Sequence, residues 1–315
     1  MPRAALEHAT GKLFEKLWAP YEQKPFDDSV QLFARRLKLV NFDPEFFRGK
    51  KVLDAGCGGG RNAIAMAQLG AAEVYGIDIG RQGIVNASQR AAGFGNVEFR
   101  EASILEIPFE DETFDFVWCA GVLMITDDED QALDELTRVL KPGGLMYLLV
   151  YADEGMRWPL INALRPLARR IGQPLIKAVM DASGMPANKQ RTFLDDLFCP
   201  KLDFYNWNRL HRMLERRGYR PIERWGDQAR LDHEQSLEDY REDLQSLATM
   251  FELGARGSDD IASLFGHAHR LVEDVIATIR WFEREVQTGR SSEADAMQLV
   301  IGQGHHRVLA TKAGN

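Results

Sequence analysis

Cysteine is scarce in this chain. Cys57, Cys119 and Cys199 stand far apart among 315 residues. Three isolated thiols form neither an even disulfide framework nor a metal-ligand spacing, so a reducing cytoplasm is the expected home. Long apolar runs are missing too. The longest, Leu145 to Ala152, has strand length and falls far short of the ~20 residues a membrane span needs. The opening MPRAALEHATGK lacks the apolar core of a secretory signal. Positive charge is in deficit: 39 Lys and Arg against 47 Asp and Glu leave a net charge of -8. That balance argues against nucleic acid as an obligatory partner. Histidine pairs with ligand geometry are absent as well. His267 and His269 would face different ways on a helix, and His305 and His306 point opposite ways in a strand, so no metal is expected. There is no internal repeat and no low-complexity tract. What is present is an ordinary globular composition, 45% hydrophobic and 27% charged, long enough for one large domain or a domain plus a cap.

The most informative stretch runs from Lys51 to Asn62, KVLDAGCGGGRN. Val52 and Leu53 read as a buried strand, with the carboxylate of Asp54 at its end. Gly56, Gly58, Gly59 and Gly60 follow, and a helical pattern begins near Asn62 with Ala63, Ile64, Met66, Ala67 and Leu69. Strand, glycine turn and helix in that order bring bare backbone against a ligand at a helix N-terminus. A dinucleotide fingerprint would place a third glycine where Arg61 stands, and a carboxylate before the turn repels a pyrophosphate. Asp54 suits instead a ligand with a cationic amino-acid end. A second strand, AEVYGID, ends at Asp78, where a carboxylate can accept both hydroxyls of a ribose. Further strands are read at Val97 to Arg100, Phe114 to Ala120, Leu145 to Val150, Tyr219 to Trp225 and Arg307 to Thr311, with helices over Gln82 to Ala92 and Asp128 to Leu140.

The spacing Asp54-x-Gly56-x-Gly58 after a hydrophobic strand resembles motif I of class I S-adenosylmethionine-dependent methyltransferases. The resemblance is continuous from Lys51 to Val150 and includes the IPF segment, GVLMIT and LKPGG. It implies an α/β fold: a doubly wound, seven-stranded, mostly parallel sheet of order 3-2-1-4-5-7-6. It implies a cofactor site of Asp54, Gly56, Cys57, Gly58, Asn62, Asp78, Ile79, Ser103, Ile104, Cys119 and Ala120. The family carries an acid five positions before the proline of its LPF segment, to hold the adenine amine. Here that position is Ser103, five before Pro108. Met124 and Ile125 stand where some relatives carry histidines, so no base is offered there. Cys119 has no histidine beside it in this motif, which argues against a nucleophilic thiol.

On this reading residues 1–48 form an N-terminal helical lid. A helix covers Ala4 to Leu17 and a second is capped by Ser29, with Tyr21, Lys24 and Phe26 to be watched for cofactor or substrate contact. Residues 49–225 form the core, with a helical cap segment at 151–217. Residues 226–297 form a helical insertion that can cap the site or make a homodimer, and 298–315 supply the closing strand. Within the cap segment an extended piece is expected from about Leu194, carrying the pocket candidates Asp195, Asp203, Tyr205 and Trp207.

Methyl transfer from a sulfonium is an in-line displacement, so the protein must chiefly align and desolvate the acceptor. A base is needed only for a weakly acidic acceptor; Tyr21, Tyr151, Asp203, Tyr205 and His211 are the candidates. The expected function is methyl transfer from S-adenosylmethionine to a small molecule, releasing S-adenosylhomocysteine. The alternatives are a tRNA or rRNA methyltransferase using Arg209, Arg212 and Arg216, a binding protein without transferase activity, and a NAD-dependent oxidoreductase, against which Arg61 speaks.

Overall fold

The computed structural model describes residues 3–18, 23–225, 236–302 and 304–314. The chain divides into two compact units. One comprises Met1–Tyr151, Pro200–Leu231 and His305–Asn315, the other Ala152–Cys199 and Asp232–Gly304.

The first unit is built on a seven-stranded sheet of order β3-β2-β1-β4-β5-β7-β6, as the family resemblance implies. Its strands are β1 (Lys51–Ala55), β2 (Glu73–Asp78), β3 (Val97–Glu101), β4 (Phe114–Ala120), β5 (Leu140–Tyr151), β6 (Tyr219–Arg224) and β7 (His305–Lys312). The first five pair in parallel, and β7 lies antiparallel to both β5 and β6. Val52, Leu53, Phe116, Val117, Leu148 and Val150 are fully buried, which is why these segments read as short apolar runs without alternation.

Both faces of the sheet are covered. On one, Trp118 stacks on Tyr147 with ring centroids 3.7 Å apart, and Phe33, Phe47 and Trp225 close around them. The helices α2 (Gln23–Leu39) and α3 (Arg61–Gln68) pack there through Phe26, Val30, Leu37, Ile64 and Met66. On the other face α5 (Glu129–Val139) and α9 (Trp207–Glu215) bury Leu133, Leu136, Leu210 and Leu214. Two further helices belong to this unit, α1 (Arg3–Trp18) and α4 (Arg81–Arg90).

Ser29 does not cap α2. The helix starts six residues earlier, at Gln23, and the Ser29 hydroxyl donates back to the Phe26 carbonyl at 2.6 Å, a bond available inside a helix. Phe26 itself is buried, with the Arg90 guanidinium 4.2 Å over its ring. Tyr21 lies outside the described residues.

The second unit is helical: α6 (Arg157–Ile171), α7 (Gln173–Ala182), α8 (Ala187–Phe198), α10 (Leu237–Gly254), α11 (Asp260–Gln287) and α12 (Glu293–Val300). The extended piece anticipated from Leu194 starts only after Cys199. Phe193, Leu194 and Leu197 recur at helical spacing and bury one face of α8, which carries Asp195 with it. Within this unit the buried Arg165 guanidinium donates to the carbonyls of Asp196 and Cys199 at 2.7 and 2.6 Å, and so satisfies the buried C-terminal end of α8. His269 Nδ1 lies 3.0 Å from the Ala248 carbonyl, which joins α11 to α10. No described helix is long and apolar enough to cross a membrane. Among the described residues no cluster of His, Cys, Asp or Glu could hold a metal ion.

Candidate functional site

The turn after β1 gathers the first site residues. Gly56, Gly58 and Gly60 have φ of 82°, 51° and 84°, a region that residues with a Cβ rarely adopt. The three play different parts. A Cβ on Gly56 would lie 2.2 Å from Val122 Cγ2, so this glycine exists for close packing against the segment after β4. A Cβ on Gly58 would meet nothing within 4 Å, so this is the open side of the turn. Gly60 is the N-cap of α3 and lies under Phe99 and Ala87. The amides of Gly56 and Cys57 both donate to the Ile77 carbonyl, at 2.8 and 2.9 Å. They lock the turn to β2 and are not themselves the donors a ligand would meet.

Asp54 is 1% exposed, and its Oδ2 accepts the Ala63 amide at 3.0 Å, in the first turn of α3. Burial pushes this carboxyl up to about 7; the Ala63 amide and the Arg61 charge oppose the shift. Asp78, at the end of β2, accepts the Gly58 amide at 2.8 Å through one oxygen and the Gly80 amide at 2.7 Å through the other. Burial raises its pKa as well, and the two amides hold it down. Each carboxylate oxygen keeps a lone pair beyond these bonds, so Asp78 can still accept from a ligand.

One strand further, the Ala102 amide donates to the Asp78 carbonyl at 3.0 Å, which sets Ser103 beside Asp78 at the edge of β3. The Ser103 hydroxyl accepts the Leu105 amide at 3.1 Å and donates to Glu7 of α1 at 2.5 Å. Ile104 is buried, while Ile79 and Asn62 are half-buried. Cys119 is buried in the core with Leu53 and Leu123, and burial, with the Asp54 charge behind it, pushes its thiol up to about 12. Burial likewise drives the Cys57 thiol well up. Both stay protonated near neutrality and neither is a nucleophile. Ala120, half-buried, packs on the opposite face of the sheet.

Three of the candidates for the acceptor side, Tyr151, Asp203 and Tyr205, meet at the ends of β4 and β5. Residues 200–206 run across this edge, with the Asp203 amide on the Met124 carbonyl at 2.9 Å and the Tyr205 amide on the Tyr151 carbonyl at 2.9 Å. Met124 is buried in the core. Lys201 Nζ lies 3.0 Å from the Asp203 carboxylate and also donates to the Thr126 carbonyl. Tyr151 is half-buried, its ring 5.1 Å from that of His305. His306 is fully buried and its Nε2 donates to the Tyr205 carbonyl at 2.8 Å, which fixes the proton on that nitrogen. The Tyr205 side chain is buried too, and its hydroxyl donates to Glu129 at 2.5 Å. Burial and that carboxylate push the phenol far upward, so Tyr205 is unsuited to the part of a base. His211 stands on α9 with its ring 5.9 Å from Trp207.

The arginines of α9 and the turn after it face the acids of α5. Arg209 pairs with Glu129, and Arg217 pairs with Asp130 at 2.7 Å and Asp134 at 2.6 Å. Arg212 and Arg216 line a surface pocket of about 420 Å³ together with Glu129, Asp130 and Glu215, so its charge is mixed.

This arrangement is a strand-edge site with a buried carboxylate at β1, a second at β2 and a polar relay at β3. Residues 53–148 match the model of a methyltransferase domain family. They form a class I methyltransferase domain. The chain is similar to the demethylmenaquinone methyltransferase of Geobacillus kaustophilus, 34% identical over 150 residues, covering 45% of this chain and 63% of that protein. It is also similar to the methyltransferase GfsG of Streptomyces halstedii, 36% identical over 99 residues, 30% of this chain and 36% of that one. The matches to the first two relatives span under two thirds of those proteins' own length. In fold, the chain resembles one from the complex between the Haloferax volcanii Trm112 methyltransferase activator and a methyltransferase. There the TM-score is 0.52 at 14% identity, with 98% of each chain covered.

The methyltransferase domain contains Asp54, the glycine turn, Asp78, Ser103 and Cys119. Tyr205 and His211, Glu7 and α9 lie outside it. Sequence reasoning missed Glu7, Glu129 and Arg138. Arg138 donates to the carbonyls of Ile107 and Phe109 and pairs with Glu135 and Asp111, tying down the IPF segment. The signal for Arg138 and Glu135 was their i, i+3 spacing on α5. Glu7 left no comparable signal.

Proposed function

We propose that the chain is a methyltransferase that uses S-adenosylmethionine and a small-molecule acceptor, releasing S-adenosylhomocysteine. The observation that carries this reading is Asp54. Its carboxyl is buried, bonded to the neutral Ala63 amide and pushed up to about 7 by desolvation. A cationic ligand alongside relieves that cost, and the open face of Gly58 leaves room for one to approach. The residues present therefore fit the cofactor. Asp54 would serve its cationic end, the spare lone pairs of Asp78 its ribose, and Ser103 with Ile104 its base.

When bound, the cofactor supplies an electrophilic sulfonium methyl, transferred by in-line displacement. The protein's own part is to orient and to exclude water. Cys119, Leu123 and Met124 make the floor beneath this edge dry, and the bonds from Asp203 and Tyr205 hold residues 200–206 across the ends of β4 and β5. Tyr151, Asp203 and His211 are the titratable groups offered to an acceptor that needs a base. The relatives named for demethylmenaquinone support a small-molecule acceptor. Arg209 pairs with Glu129 and Arg216 lies 4.0 Å from Asp130, so acids of α5 face two of the three arginines that motivated an RNA acceptor.

Calorimetry tests the reading. Both S-adenosylmethionine and S-adenosylhomocysteine should bind, and Asp78→Ala should weaken both. Binding of neither to the folded protein overturns it.

A further inference from the structure

Helix α1 crosses the C-terminal edge of β2 and β3 and is fastened at three points. Glu15 Oε1 accepts the Gln82 amide at 2.9 Å, over the start of α4. Gly11 packs on Ile79, where a Cβ would lie 3.7 Å from Ile79 Cγ1. Glu7 accepts the Ser103 hydroxyl at 2.5 Å, across 96 residues of chain. Thr10, one turn on from Glu7 and on the same helix face, is 4% exposed, and its hydroxyl has no hydrogen-bond partner among the described residues. A buried hydroxyl without a partner is costly, and a ligand at this edge would satisfy it.

The sheet order places the three polar groups in a row: Asp54 on β1, Asp78 on β2, and Ser103 just past the end of β3. On the function proposed above, a cofactor with its amino-acid end at Asp54 and its ribose at Asp78 carries its base over Ser103. The Ser103 hydroxyl has already committed its proton to Glu7 and a lone pair to Leu105. The Ser103 oxygen keeps one further lone pair, and the Glu7 carboxylate beside it only accepts, so both can receive a ligand's proton and neither can give one. An acceptor pair at this point welcomes the exocyclic amine of adenine and repels the carbonyl of a 6-oxopurine.

We infer that Glu7, positioned by Ser103, reads the purine amine of the cofactor, so that α1 supplies the base-recognising carboxylate that β3 lacks. The inference rests on the proposed function. It is tested by titrating the full chain with S-adenosylhomocysteine and with S-inosylhomocysteine, in which the amine is replaced by a carbonyl. Wild type should prefer the adenosyl compound by about tenfold or more, the worth of a hydrogen bond to a charged group. Glu7→Gln, whose amide can turn either way, should lose most of that preference. Glu15→Ala should weaken both compounds together and leave their ratio unchanged, since it removes the acceptor of the Gln82 amide and only loosens the helix. An unchanged ratio in Glu7→Gln, with S-adenosylhomocysteine still bound, overturns the inference and leaves the function standing. Failure of wild type to bind either compound overturns both.

Discussion

Asp54 Oδ2 accepts the Ala63 amide at 3.0 Å, so the buried carboxylate at the end of β1 is also the anchor of α3. One side chain thus joins the strand, the glycine turn and the helix. The helix dipole and that amide keep the charge tolerable, while burial works against it.

The first prediction concerns pH. With the Asp54 carboxyl pushed up to about 7, a cationic cofactor meets mostly the neutral form at pH 6 and mostly the ionised form at pH 8. Affinity for S-adenosylmethionine should therefore be about tenfold weaker at pH 6. Stability runs the other way. The folded value lies above the ordinary 3.8, so the folded chain holds the proton more tightly than the unfolded chain. Through the window from 3.8 to about 7 the ligand-free protein loses stability as pH rises. In Asp54→Asn both dependences should flatten. Calorimetry and thermal melts at the two pH values check this, and equal slopes in parent and variant would count against it.

The second prediction separates two glycines of one turn. Gly56→Ala forces a Cβ to 2.2 Å from Val122 at a φ of 82° and should cost about 1–3 kcal/mol of stability. Val122→Ala should recover part of the loss. Gly58→Ala meets no neighbour within 4 Å and should cost about 1 kcal/mol, from its φ alone. Its larger effect should fall on cofactor affinity, because it closes the open side of the turn. Denaturant unfolding beside a ligand titration distinguishes the two.

The third prediction concerns Tyr205, whose hydroxyl is held by Glu129. Tyr205→Phe removes that bond and should cost about 1–2 kcal/mol of stability. The pH dependence of turnover should keep its shape. Loss of an ionisation from the rate profile, with the protein still folded, would restore Tyr205 as a base.

Much of the fold was legible in the residues because its evidence is local. Val52 to Asp54 followed by glycines, and Glu73 to Asp78 ending in an acid, are strand and turn signals complete within a dozen residues. Their repetition implies parallel strands joined by helices, and the family resemblance supplies their order. The start of α2 and the extent of α8 were misread for the same reason. Ser29 looks like a cap until its hydroxyl is seen bonded to Phe26, and Leu194 looks extended until its face of α8 is seen buried.

The partnerships of the site are another matter. Glu7 with Ser103, Tyr205 with Glu129 and Arg217 with Asp134 join residues between 76 and 96 positions apart. Before the chain folds, each is an ordinary polar residue on an ordinary helix or loop. Periodicity states which face of a helix is apolar, and nothing in it states which distant carboxylate a hydroxyl will find. That choice is made by where β3, α1 and α5 come to rest on the sheet, and packing sets it.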